Sequence, residues 1–185
     1  YQPPQFSLLS CELDFKLHAA RTEVTVHYAV TALGNSRELR LDGEALTLLG
    51  IEIDGHSVPE AAYRIDEHSL TLSDVPAHFE LCIRTLTEPE KNTTLNGLYQ
   101  SGDMLCTQCE AEGFRKITWF LDRPDVMARF QVRIEADRTS FPVLLSNGNP
   151  GASGELPDGR HFAEWDDPIP KPCYLFALVA GDLSH

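Results

Sequence analysis

Along most of the chain, apolar and polar residues alternate with a period of two. Over residues 7–17, Leu9, Cys11, Leu13, Phe15 and Leu17 fall on one face. Val24, Val26, Tyr28 and Val30 then alternate with the polar Glu23, Thr25 and His27. Such patterns predict half-buried strands. Residues 46–53 read as another strand, ending at the turn pair Asp54-Gly55. Shorter runs follow at 69–72 and 79–86. Alternation resumes at 129–136 through Phe130, Val132 and Ile134, and 143–145 leads into the turn-rich loop Ser146-Asn147-Gly148-Asn149. Residues 161–165 and 174–180 complete the set; the last run is nearly all apolar, as a strand buried on both faces would be. Only 110–120, with few turn residues and an ambiguous apolar period, leaves room for a short helix. The pattern predicts an all-β sandwich of many short, mainly antiparallel strands. No linker rich in Gly, Ser or Pro splits it, so residues 1–185 are expected to form one domain.

Composition narrows the partners. Lys and Arg total 15 against 28 Asp and Glu, a net charge of −13. Phosphate backbones and anionic lipid repel such a chain, which argues against nucleic acid and membrane surfaces. No apolar run approaches the length of a membrane span. Five scattered cysteines, an odd number, do not form a disulfide framework and predict reduced thiols in a cytoplasmic protein. The sequence begins at Tyr1 with neither Met nor a signal-peptide pattern, which suggests a trimmed start. The sequon Asn92-Thr93-Thr94 reads as a chance match.

Complete catalytic motifs are missing. Cys106-x-x-Cys109 has metal-ligand spacing, but no second Cys pair or matching His pair follows to complete a four-ligand zinc site. A thioredoxin-like reading lacks its βαβ setting. None of the seven histidines (His18, His27, His56, His68, His78, His161, His185) sits in an H-E-x-x-H pair. There is no G-x-S-x-G elbow and no phosphate-cradling glycine loop. What remains is Glu110 and Glu112 beside Gln108. Acids two apart point the same way on a strand and could form an acid/base pair or an anionic pocket; as isolated residues they read more simply as solvated surface acids.

The segment T-Q-C-E-A-E-G-F-R at 107–115, followed by D-R-P-D-V-M-A-R-F at 122–130, resembles the signature of aminopeptidase N-type zinc metallopeptidases of the gluzincin family. The pattern Gln-x-Glu, Arg, Asp-x-Pro, Ala-x-Phe is met at Gln108, Glu110, Arg115, Asp122, Pro124, Ala128 and Phe130. Thr118-Trp119-Phe120 departs from the Phe-Pro-Cys of many animal members, and the wording is nearer the bacterial branch. The stretches at 97–102, 144–149 and 170–182 agree as well. The resemblance is specific from Gly97 to Asp182 and looser before it.

That resemblance implies a saddle-like N-terminal β-domain leaning on a catalytic domain of the same polypeptide, which would begin just after Asp182. The zinc, its ligands and the general-base Glu belong to that absent domain, so this chain alone is expected to bind no metal and to be inactive. As a whole the protein would remove residues from peptide N-termini. Glu110 would bind the substrate α-ammonium and Gln108 would line the pocket for the first side chain, while Glu112 has no matched role. The surface at 108–120, with Trp119 and Phe120, is expected to be an apolar docking face. A different class, a stand-alone β-sandwich binding or adaptor module, fits the same strands.

Overall fold

The structure is a computed structural model and describes residues 1–183; His185 lies outside the described residues. The strands in chain order are β1 (Phe6–Lys16), β2 (Thr22–Ala32), β3 (Leu39–Asp42), β4 (Thr47–Ile53), β5 (His56–Ser57), β6 (Tyr63–Ile65), β7 (Ser69–Leu72), β8 (His78–Thr87), β9 (Gly97–Ser101), β10 (Met104–Gln108), β11 (Met127–Asp137), β12 (Val143–Ser146), β13 (Asn149–Glu155), β14 (Arg160–Pro172) and β15 (Leu178–Gly181). They form three sheets: eight strands in the order β13-β14-β11-β1-β2-β8-β4-β5, four in the order β12-β15-β10-β9, and three in the order β3-β7-β6. Among the described residues every strand pairing is antiparallel except that of β1 with β11. The all-β sandwich expected from the period-two pattern is what the chain forms.

Burial explains the layering. The inward residues of β2 (Val24, Val26, Tyr28, Val30) are buried, as alternation requires, and their outward neighbours are not. This face packs on the buried faces of the two small sheets, through Leu39, Leu41, Leu70 and Leu72 on one and Leu98, Leu105, Leu144 and Leu178 on the other, in one continuous core. Phe114 is the hub between the layers. Its ring meets Phe120 at 4.9 Å, Phe176 at 5.2 Å and Phe130 at 6.0 Å, each edge-to-face, the arrangement that ring quadrupoles favour.

The chain departs from its hydrophobic pattern at three places. Leu9 is 60% exposed, not on the inward face of β1 that its alternation predicts. Between Leu8–Val30 and Cys11–Tyr28 the strand advances three residues against two on β2, so a bulge reverses the parity and Leu8 turns inward instead. Residues 174–180 are not one strand: Cys173–Leu175 is a 3-10 turn and only Leu178–Gly181 joins the sheet. The possible helix at 110–120 shrinks to a single 3-10 turn, Phe114–Lys116.

Candidate functional site

Strand β10 delivers Gln108 to the end of the four-stranded sheet, paired across to Gly97 of β9. The chain leaves the sheet at Cys109, whose side chain is buried beneath the turn that follows. Glu110, Ala111 and Glu112 are exposed at its apex, and the Glu110–Ala111 peptide bond is cis. The turn closes where the Gly113 N–H donates to the Cys109 carbonyl at 2.8 Å. Only glycine fits there. A Cβ on Gly113 would run into the Asn96 Oδ1 and the Gln108 carbonyl and lie 2.8 Å from the Cys109 Cα.

The two acids therefore do not share a strand face, because neither is in a strand. Glu112 pairs with the Arg115 guanidinium at 3.4 Å. Glu110 differs: among the described residues its exposed carboxylate has no hydrogen-bond or ion-pair partner. Gln108 supports it indirectly, since the Gln108 Nε2 donates to the Glu110 carbonyl at 3.2 Å.

Behind the turn lies a buried polar network. Asp122 is 5% exposed. Its Oδ2 accepts from the Arg115 backbone N–H at 3.2 Å and from the Arg115 Nε at 2.9 Å, and its Oδ1 accepts from the Cys173 thiol at 3.0 Å. The Asp122 N–H donates to the Asp42 Oδ2 at 3.3 Å, beside a two-way backbone bridge between Asp42 and Phe120. Burial, and then the charge of Asp122, push the Cys109 thiol up to about 12; the same two causes raise Cys173 further. Both stay protonated at neutral pH. In the sequence Arg115 and Asp122 are motif positions without a role, and Cys173 is only part of the stretch 170–182 that agrees with the family. No sequence signal separates a thiol that caps a carboxylate from one that merely fills space.

Trp119 and Phe120 do not form the apolar docking face expected of them. Trp119 is 2% exposed and Phe120 fully buried within this chain's own core, where the Tyr28 hydroxyl donates to the Trp119 carbonyl at 2.6 Å. Nor do Cys106 and Cys109 converge as metal ligands. Cys106 faces outward from β10 beside Tyr99, whereas Cys109 lies under the turn near Asp122. Among the described residues no group of three or more His, Cys, Asp or Glu side chains could hold a metal ion, so these residues do not fit a zinc site. No helix among them is long and apolar enough to cross a membrane. A groove of about 540 Å³ lies away from the turn, on the outer face of the large sheet. There Arg133 bridges Glu135 at 2.8 Å and Glu164 at 2.9 Å.

The fold is an open β-sandwich of three sheets that holds no metal-ligand set among its described residues. The profile of the Peptidase M1 N-terminal domain matches residues 2–175, and the chain belongs to that family. Along its whole length it is 53% identical to aminopeptidase N of Caulobacter vibrioides and 52% identical to that of Escherichia coli K12, covering 21% of each of those proteins. It also superposes on Legionella pneumophila aminopeptidase A, solved in complex with aspartic acid, with a TM-score of 0.94 at 32% identity, over 98% of this chain and 22% of that one. An M1 zinc metallopeptidase from Deinococcus radiodurans shares the fold, at a TM-score of 0.82 and 16% identity. The chain thus spans about a fifth of the length of these two aminopeptidase N relatives.

Proposed function

We propose that this domain is the ammonium-binding wall of a metallo-aminopeptidase that removes residues from peptide N-termini. In this reading residues 1–185 are the N-terminal domain, and a catalytic domain of the same polypeptide supplies the zinc and the water-activating base. The observation that carries it is the contrast between two neighbouring acids: Glu112 is paired with Arg115, whereas Glu110 is exposed on its turn and has no partner among the described residues. Such a carboxylate suits the free α-ammonium of a peptide, which loses hydration on entering a pocket and needs a charged acceptor. Held at a set distance from the reacting bond, it measures one residue from the terminus and disfavours blocked peptides. Gln108 braces the Glu110 main chain and borders the pocket for the first side chain. Five unpaired thiols support a reducing, cytoplasmic setting.

In the full-length protein, Glu110→Gln keeps the shape and removes the charge. A charge-assisted contact is worth roughly 1.5–3 kcal/mol, which predicts about a 10- to 150-fold fall in kcat/KM on an aminoacyl-anilide. Glu112→Gln should cost far less, and zinc content should stay constant in both. A silent Glu110→Gln beside a crippling Glu112→Gln would reverse the assignment.

A further inference from the structure

We infer that Asp122 is the positioning residue for the Glu110 carboxylate, and that the Cys173 thiol is the donor that fixes Asp122; this rests on the ammonium-binding reading above. A carboxylate at the apex of a turn is only as well placed as the two stems beneath it. One stem is β10, held in its sheet by β9 and β15. The other returns through Arg115, and it is tied down by Asp122. That single carboxylate takes both the main-chain N–H and the side-chain Nε of Arg115 on one oxygen. The Arg115 guanidinium also donates to the Asp122 carbonyl at 3.2 Å, so residues 115–122 close on themselves.

The remaining carboxylate oxygen is what Cys173 serves. Its thiol donates from the turn that connects β14 to β15, and β15 is the strand paired with β10. Asp122 therefore joins the returning stem to the same sheet that holds the outgoing one. A buried acceptor left without its donor is costly and drifts toward whatever donor it can reach. A thiol kept protonated by its surroundings is a permanent donor here, with no acid–base role of its own.

The test uses the full-length aminopeptidase with Asp122→Asn, Cys173→Ala and Cys173→Ser, each alone and combined with Glu110→Gln. Steady-state kinetics on an aminoacyl-anilide are read beside thermal midpoints and zinc content. Asp122→Asn and Cys173→Ala should lower kcat/KM roughly tenfold or more, the scale of a small misplacement. Cys173→Ser, which keeps a donor, should recover most of the loss. In the Glu110→Gln background the same changes should cost less than about threefold, because residues acting through one group are not additive. Equal fold-losses in both backgrounds would overturn the positioning role and leave the ammonium site standing. If Glu110→Gln alone leaves kcat/KM unchanged, the ammonium reading falls instead. Should Asp122→Asn fail to fold, the Ala and Ser variants of Cys173 decide the matter by themselves.

Discussion

Glu110 and Glu112 have the same chemistry, two positions apart, and the fold gives them different electrostatic lives. Their difference was not legible in the sequence, because it depends on where Arg115 points, and that depends on the buried Asp122. Only the resemblance to a family motif singles out Gln108 and Glu110, whereas residue physics alone reads Glu110 as an ordinary surface acid. The buried thiols carry a pH consequence. Burial raises Cys11, Cys109 and Cys173 alike, with Cys109 pushed up to about 12. An unfolded thiol titrates near about 8.5, so the folded chain keeps protons that the unfolded chain releases. This stabilisation is fully present below about pH 8.5 and is lost as the pH climbs toward about 12. Urea midpoints should therefore decline across that window, and Cys109→Ala should flatten the decline. A midpoint indifferent to alkaline pH would contradict the burial of these thiols.

Among the elements, the long alternating strands β1, β2, β8 and β11 and the short β7 were readable, whereas the short β3, β9 and β10 were not. The β4–β5 hairpin follows from Asp54-Gly55, which take φ of 50° and 75°, as a primed turn demands. By contrast, β13 (Asn149–Glu155) has no apolar pattern; it is an edge strand, exposed along most of its length and recruited by β14. The Leu9 error has the same root, since a bulge is decided by pairing with β2 and not by the strand's own residues. The turn after β10 depends on Gly113, where the obstacle to a side chain is mostly backbone. Gly113→Ala should push the turn away from Asn96 and β10. It should destabilise the isolated domain by roughly 1–3 kcal/mol, the usual cost of overpacking, with limited proteolysis newly directed to residues 109–116. Unaltered denaturation and cleavage patterns would show that the close approach is avoidable.

At the scale of the whole molecule, the chain has a complete core but no convergent metal-ligand set among its described residues. Expressed alone it should fold, give a circular dichroism spectrum dominated by β-structure, and hydrolyse no aminoacyl-anilide even with excess zinc. Stoichiometric zinc surviving dialysis, or turnover above buffer, would refute the division of labour proposed between this domain and the rest of the protein. The sandwich class was readable from periodicity because half-buried strands must alternate. The split into sheets of eight, four and three strands was not, because strand order is set by contacts between residues far apart in the chain.

The lone parallel pairing also bears on how the chain is made. β1 lies inside the large sheet, between β2 and β11, and about 110 residues separate it from β11. Its hairpin with β2 can form as soon as both are synthesised, but its other edge has no mate until Met127–Asp137 has emerged. At about 5–20 residues per second that interval lasts roughly 5–20 seconds. Throughout it a strand with one apolar face presents unpaired backbone groups, a template for any neighbouring chain in the same condition. The nascent polypeptide is therefore most vulnerable to its own copies between the emergence of β2 and that of β11, and the arrival of β11 ends that exposure.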